Sequence, residues 1–302
     1  MKRDLIIDIG MHNGDDTNYY LPRGFNVLAI EAAPTLVQQA KDRFSEYIQK
    51  GKLEILNIAI ADTEGEKDFY LCDTLSVWNT FEEEELIRRK AKYHSIKVPC
   101  KTFDWILGNY GIPFYLKIDI EGNDYLSIDA LKCGNLPQYL SLETWGDNYS
   151  DKVKVLDQLY ELGYTKFKCI SQFNFIALEK PLARDAQDYQ RFKEIIYGKY
   201  KYSKNLIFRG FMKLGLRKII SNKMNELETK FRTRDGYTFP EGSSGPFGEE
   251  TPGKWMNIDE IKDVYSFYFE FFEKDKDKDV ESLFWKKGQH YSFWNDFHAT
   301  KD

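Results

Sequence analysis

The 302 residues suffice for one large domain, or for one domain with a substantial extension. A formal net charge of −5 excludes a global pull towards nucleic acid or an anionic membrane, so any such attraction must be local. Cys72, Cys100, Cys133 and Cys169 show no CxxC spacing, the Met-Lys-Arg-Asp start lacks a signal-peptide pattern, and no apolar run approaches the roughly 18 to 20 residues of a membrane span; a reducing, cytoplasmic setting is expected.

In chain order, residues 5–9 read as a buried strand running into Gly10-Met-His-Asn-Gly-Asp-Asp-Thr17, where Gly10 and Gly14 let the backbone bend and approach a ligand. A helix near 17–21 leads to a second strand, 27–30, which ends in Glu31. An acid at that place can accept hydrogen bonds from both hydroxyls of a ribose. The Gly-x-x-x-Gly spacing lacks the Gly-x-Gly-x-x-Gly pattern of dinucleotide sites and favours S-adenosylmethionine over NAD. A helix at 35–49 and a strand at 53–56 follow.

An insertion between 68 and 99 interrupts the alternation with strand-like 69–72, then Ser76-Val-Trp-Asn-Thr80, then Glu82 to Glu85, acids suited to the first turn of a helix. Ser76, Trp78 and Asn79 place an indole beside a hydroxyl and an amide and are candidates for acceptor binding. After a helix at 103–107, the strand at 115–118 within Phe114-Tyr-Leu-Lys-Ile-Asp-Ile-Glu-Gly-Asn-Asp124 delivers Asp119 and Glu121 to its carboxyl end, with Gly122 at the turn. Ligands of open α/β sheets sit at that end. Then come a helix at 126–130, a strand at 139–142 followed by Glu143, a helix at 152–162 stopped by Gly163, and β-like runs at 164–170 and 173–178 joined by Ser171-Gln172 as a hairpin. The alternation predicts an α/β domain over 1–180, Rossmann-like, its sheet mostly parallel with an antiparallel hairpin at the end.

Residues 181–302 read as a helical, aromatic-rich extension. Its part from 184 to 234 is locally basic, and 205–220 mix apolar and cationic residues as an interfacial helix does, so contact with a peripheral membrane or an anionic partner stands beside simple docking on the core. The Gly/Pro-rich stretch 236–255 carries Tyr237, Phe239, Phe247 and Trp255 and is expected to form a lid over the cofactor cleft, with Ser243, Ser244 and Trp255 as acceptor candidates. Residues 265–272 read as a packed helical core, with an aromatic acceptor wall as the alternative.

Asp8-Ile-Gly10 with Gly14-Asp15 and Glu31, and above all Leu116-Lys-Ile-Asp-Ile-Glu-Gly122, resemble the FkbM-type family of S-adenosylmethionine-dependent methyltransferases over about residues 4–180. Met11 departs from the small residue the family often has there. The resemblance implies a class I methyltransferase sheet and methyl transfer to a hydroxyl of a sugar, glycan or secondary metabolite. It implies that Asp8, Gly10, Asn13, Gly14 and Asp15 surround the methionine part of the cofactor. Glu31 and the neighbouring Ala32 then hold the ribose side, Ala59 borders the adenine, and Asp119 reaches both cofactor and acceptor.

For the base, Asp119 and Glu121 rank first, Glu143 second and His12 third. A carboxylate needs burial or a like-charged neighbour to become an effective base, whereas His12 has the better intrinsic pKa but lies in the cofactor loop. No metal is predicted: His94, His290 and His298 lack ligand spacing, and magnesium on Asp119, Glu143 and Asp147 is set aside. The expected partner is a small-molecule or glycan acceptor and not a nucleic acid. The rival readings are an NAD-dependent oxidoreductase and a non-catalytic binding module working through the basic and aromatic C-terminal segment.

Overall fold

A computed structural model describes residues 1–120, 122–144, 148–197, 215–275 and 293–301. Glu121, Asp147, His290 and most of the interfacial run at 205–220 lie outside the described residues. The strands are β1 (Lys2–Ile9), β2 (Asn26–Ile30), β3 (Leu53–Leu56), β4 (Ala59–Ile60), β5 (Gly65–Cys72), β6 (Tyr93–Lys101), β7 (Pro113–Ile118), β8 (Tyr139–Glu143), β9 (Lys166–Ser171), the two-residue β10 (Thr233–Arg234) and β11 (Tyr237–Thr238), and β12 (Asn295–Thr300). Seven of them form one sheet in the order β3-β2-β1-β7-β8-β12-β9.

The pairs β1·β2, β2·β3, β1·β7 and β7·β8 are all parallel. Central parallel strands are covered on both faces and therefore read as continuous apolar runs; Ile6, Ile7, Ile9, Leu116 and Ile118 are fully buried. From β1 the chain steps outward to β2 and β3 and then returns to β7 on the other side of β1. The order therefore reverses between β1 and β7, where open α/β sheets take their ligands.

The helices are α1 (Asp15–Tyr20), α2 (Pro34–Arg43), α3 (Ser45–Gln49), α4 (Glu83–Arg88), α5 (Phe103–Tyr110), α6 (Asp124–Asp129), α7 (Tyr149–Leu162), α8 (Arg184–Tyr197), α9 (Arg217–Arg232) and α10 (Ile258–Asp275). Thr102 and Asn148 cap α5 and α7 by accepting the backbone N–H groups of Trp105 and Asp151. The single helix expected over 35–49 is broken at Phe44, whose buried ring packs against Gly14. Among the described residues no helix is long and apolar enough to cross a membrane.

The insertion forms a second sheet, β4-β6-β5. Its β5·β6 ladder is antiparallel from Gly65↔Cys100 to Cys72↔Tyr93, and α4 lies in the excursion between the two strands. The second run of the expected hairpin, 173–178, forms no strand, because the chain turns directly after β9 and keeps one isolated bridge to it. Ile170 and Ala177 bridge, the Leu178 N–H donates to Cys169 O, and Phe175 N–H closes the turn on Ser171 O. The neighbour of β9 within the sheet is β12, a strand that sequence patterning does not foresee.

The chain divides into two compact units: 1–165 with 246–248 and 298–302, and 166–245 with 249–297. In the second, α8 packs on α9, where Lys230 pairs with Asp185 and the Tyr189 hydroxyl donates to Glu228 at 3.2 Å. Several cations of the basic stretch are thus answered by local acids. Helix α10 buries Tyr265, Tyr268, Phe269 and Phe272 on one stripe and leaves Phe267 exposed, which is the packed-core reading of this aromatic run.

The lid expectation needs correction at its centre. In the first unit Phe247 enters a pocket of Tyr20, Phe25, Phe114, Tyr115 and Tyr139 and stacks on Tyr115 with centroids 4.2 Å apart. Phe114, Tyr115 and Tyr139 lie at the amino-terminal ends of β7 and β8. Asp119 is four residues beyond Tyr115, roughly 13 Å along the strand direction at about 3.3 Å per residue. Phe247 is held by aromatic burial at the end of the sheet opposite the expected cofactor cleft.

Candidate functional site

Parallel register sets the site. Ile9 lies beside both Ile30 and Ile118, so the next residues, Gly10, Glu31 and Asp119, emerge together at the carboxyl edge. At Gly10, φ is +75° and an added Cβ would fall 1.8 Å from the carbonyl oxygen of Asp119. Only glycine fits that turn.

The N–H groups of Gly10 and Met11 both donate to Ile30 O, at 3.0 and 3.1 Å. Met11 is buried, so the departure from a small residue adds core packing. His12 has a φ of 53°, an uncommon conformation for a residue with a side chain, and its N–H donates to Glu31 Oε2 at 2.9 Å. The Ala33 N–H donates to Oε1 at 2.8 Å. Burial pushes the Glu31 carboxyl up, and these two donors oppose it. With one N–H on each oxygen, the carboxylate keeps lone pairs for further donors. Two neighbouring hydroxyls fit this donor set.

Lys117, quoted within the 116–122 block but given no role by the sequence, proves to be a buried cation at this edge. Its side chain is 2 % exposed, and its ammonium lies 3.2 Å from Asp8, 3.5 Å from Asp119 and 3.8 Å from Asp16, while donating to Gly10 O at 3.1 Å. Burial alone would lower its pKa, but Asp8, Asp119 and Asp16 reverse the balance and hold it well above the ordinary lysine value. The Thr17 hydroxyl donates to the other oxygen of Asp8 at 2.7 Å. The available signal was a lysine inside an apolar central strand, a place that lysine occupies only when paired.

The loop after β7 closes on Asp124, whose carboxylate accepts from the N–H groups of Ile120 at 3.3 Å and Gly122 at 3.1 Å. Burial, then Asp119, push its pKa up to about 6. His12 Nε2 lies 2.8 Å from Ser76 Oγ. Burial pulls the imidazole below its usual pKa; Asp119 and Asp15 oppose this, and Lys117 reinforces it. Asn13 and Asp15 bond to each other, and Arg43 donates to Asn13 O and Asp15 at 2.9 and 3.0 Å. Ala32 packs against the apolar cluster that contains Ala59, Ala33, Leu36 and Cys100.

Glu143, half-buried at the end of β8, lines a cavity of about 300 Å³ with Asp124, Tyr125, Asp151 and Lys152. Trp78 lies under the Arg89 guanidinium at 5.0 Å, and the Asn79 side chain accepts the Cys72 N–H at 2.9 Å. Ser243 and Ser244 are buried residues of the second unit. So is the setting of Trp255, whose indole N–H donates to Glu249 and whose ring faces the Lys168 ammonium at 4.2 Å. Asp8, Gly10, His12, Glu31, Ser76 and Asp119 are therefore brought together in the first unit.

A family profile described as the methyltransferase FkbM domain matches residues 8–164. Solved structures similar to the chain include methyltransferase FkbM from Methylobacillus flagellatus KT, at 13% identity over 53% of this chain and 36% of that one, with a TM-score of 0.35. Precorrin-6y C5,15-methyltransferase from Geobacter metallireducens GS-15 matches at 13% identity over 57% and 70%, with a TM-score of 0.34. Haemonchus contortus phosphoethanolamine N-methyltransferase 2, in complex with S-adenosyl-L-methionine, matches at 10% identity over 100% and 49%, with a TM-score of 0.33. The chain spans 36% of the length of the Methylobacillus protein. No curated protein matches.

Proposed function

The chain belongs to the methyltransferase FkbM family, and from that premise we propose that it transfers a methyl group from S-adenosylmethionine to a hydroxyl oxygen of a small-molecule or glycan acceptor. The observation that carries the cofactor assignment is the meeting of the Gly10 turn, Glu31 and Asp119 at the reversal point of a parallel sheet. Glu31 with the neighbouring Ala32 would take the ribose side, the backbone from Gly10 to Gly14 the methionine part, and the Ala59 region the adenine. When bound, the cofactor supplies a sulfonium-activated methyl group. The chain must hold the acceptor oxygen in line and remove its proton.

The expected result for Glu31→Ala and Asp8→Ala is S-adenosylhomocysteine binding weakened by about 1 to 3 kcal/mol each, as for losing buried hydrogen bonds, some of them to charged groups. Calorimetric titration checks it, and wild-type affinity in both variants would refute the assignment.

His12 is the base we favour. Its Nε2 is placed at the carboxyl edge of the sheet, 2.8 Å from Ser76 Oγ; burial holds its pKa below the usual value, and the charge of Asp119, which opposes that shift, would stabilise the imidazolium. Asp119 itself is engaged by Lys117. Activity should then rise with pH through a pKa below 6.5 and stay flat above it. His12→Gln should remove that limb, whereas Asp124→Asn, which removes a carboxyl pushed up to about 6, should keep it. A limb that survives in His12→Gln returns the role to a carboxylate.

A further inference from the structure

Ser76 opens a short 3₁₀ turn, Ser76–Trp78, on the excursion between β5 and β6, 64 residues along the chain from His12. Its hydroxyl nonetheless meets His12 Nε2 at 2.8 Å. Each partner is fixed independently of that contact. The turn closes through the Trp78 N–H on Leu75 O at 2.9 Å and the Asn79 N–H on Ser76 O at 3.2 Å. It is tied to β5 twice: the Asn79 side chain accepts the Cys72 N–H at 2.9 Å, and Tyr70 and Thr80 exchange backbone hydrogen bonds at 2.9 and 3.0 Å. Arg89, paired with Glu85 at 3.3 Å, lies over the Trp78 ring at 5.0 Å. On the other side, the His12 N–H is held by Glu31 and its φ is set at 53°. A serine on a turn supported in this way is a fixed partner for the ring.

We propose that Ser76 is a positioning residue for methyl transfer: its hydroxyl accepts the Nε2–H of His12, fixes that tautomer, and leaves Nδ1 as the nitrogen that takes the acceptor's proton. This rests on the reading of His12 as the base. A neutral imidazole has one donor and one acceptor nitrogen, and the hydrogen bond made by one decides the state of the other. Among the described residues Nδ1 makes no hydrogen bond, so its lone pair is open to a hydroxyl. The acceptor oxygen bonds the methyl carbon as the carbon–sulfur bond breaks towards sulfur, and the hydroxyl proton passes to Nδ1. The imidazolium keeps its Nε2–H on Ser76, now as a charge-assisted bond. The charged groups around His12 come from other elements: Asp119 and Lys117 from β7 and its edge, Asp15 from α1, and Glu31 beyond β2. Those groups act on the charge of the ring, whereas Ser76 bonds one of its nitrogens and can select between the two. Being uncharged, it fixes the tautomer without the rise in pKa that a carboxylate in its place would cause.

The test is NMR of the nitrogen-labelled full chain loaded with S-adenosylhomocysteine, in which His12 is one of four histidines to assign. Above its pKa, the wild-type His12 ring should carry its proton on Nε2. Ser76→Ala should let the Nδ1–H form appear and lower the His12 pKa by about half a unit or more, because a hydrogen bond to a charged group is worth more than one to a neutral group. Ser76→Thr keeps the hydroxyl and should restore both. Affinity for S-adenosylhomocysteine should be unchanged in both variants, since Glu31 is met by the backbone N–H of His12 and not by its ring. A wild-type ring protonated on Nδ1, or an alanine variant with the tautomer and pKa of wild type, overturns the proposal. Failure of the wild type to bind S-adenosylhomocysteine would instead defeat the methyltransferase reading, and a pH limb that survives in His12→Gln would defeat the assignment of the base.

Discussion

Replacing Lys117 with methionine, of similar length, is expected to cost about 3 to 5 kcal/mol of stability, because it takes the positive charge away from Asp8, buried in the core, and from Asp119 beside it. The Gly10 carbonyl loses its donor at the same time, so the cofactor turn loosens. Urea denaturation would measure the first effect and calorimetric titration with S-adenosylhomocysteine the second, with binding weakened by a factor of ten or more. Adding Asp8→Asn removes one of the stranded charges and should restore part of the stability without restoring affinity. A single variant within about 1 kcal/mol of wild type would show that the acids escape the buried charge by other means, and Lys117 would then lose its positioning role.

Phe247→Ala should be nearly as damaging to stability and harmless to cofactor binding. Truncating a buried phenylalanine costs about 3 to 5 kcal/mol through lost transfer energy and the cavity left behind, and here five aromatic rings line the space. At a temperature where the variant remains folded, S-adenosylhomocysteine affinity should stay within about twofold of wild type, a difference well under the 1.4 kcal/mol that corresponds to tenfold. A lid residue would behave the other way, with stability preserved and turnover lost. That pattern would reinstate the loop as a cover for the cleft.

Where local chemistry decides, the sequence alone determined the outcome. The apolar runs that became β1, β2, β7 and β8 could hardly be anything but buried parallel strands, and Gly10, Glu31 and Asp119 follow them at positions fixed by strand length. The Leu116 to Gly122 block identified the family for the same reason, since its residues act close together in the chain. Three features depended on partners distant in sequence. Strand β12 reads Asn-Asp-Phe-His-Ala-Thr, with only Phe297 and Ala299 apolar, and all six residues are buried because the sheet, rather than their own hydrophobicity, places them. Lys117 looks like a flaw in an apolar strand until acids from β1, α1 and the end of β7 surround it. The direction of the polar residues of the excursion is not written in the sequence; tertiary contacts turn Ser76 towards His12 and Asn79 towards the Cys72 N–H, while Leu75, Val77 and Ile87 are exposed. Periodicity and glycine placement are written into neighbouring residues; the pairing of a buried charge and the direction a polar side chain faces are set by packing between segments that only the folded chain brings together.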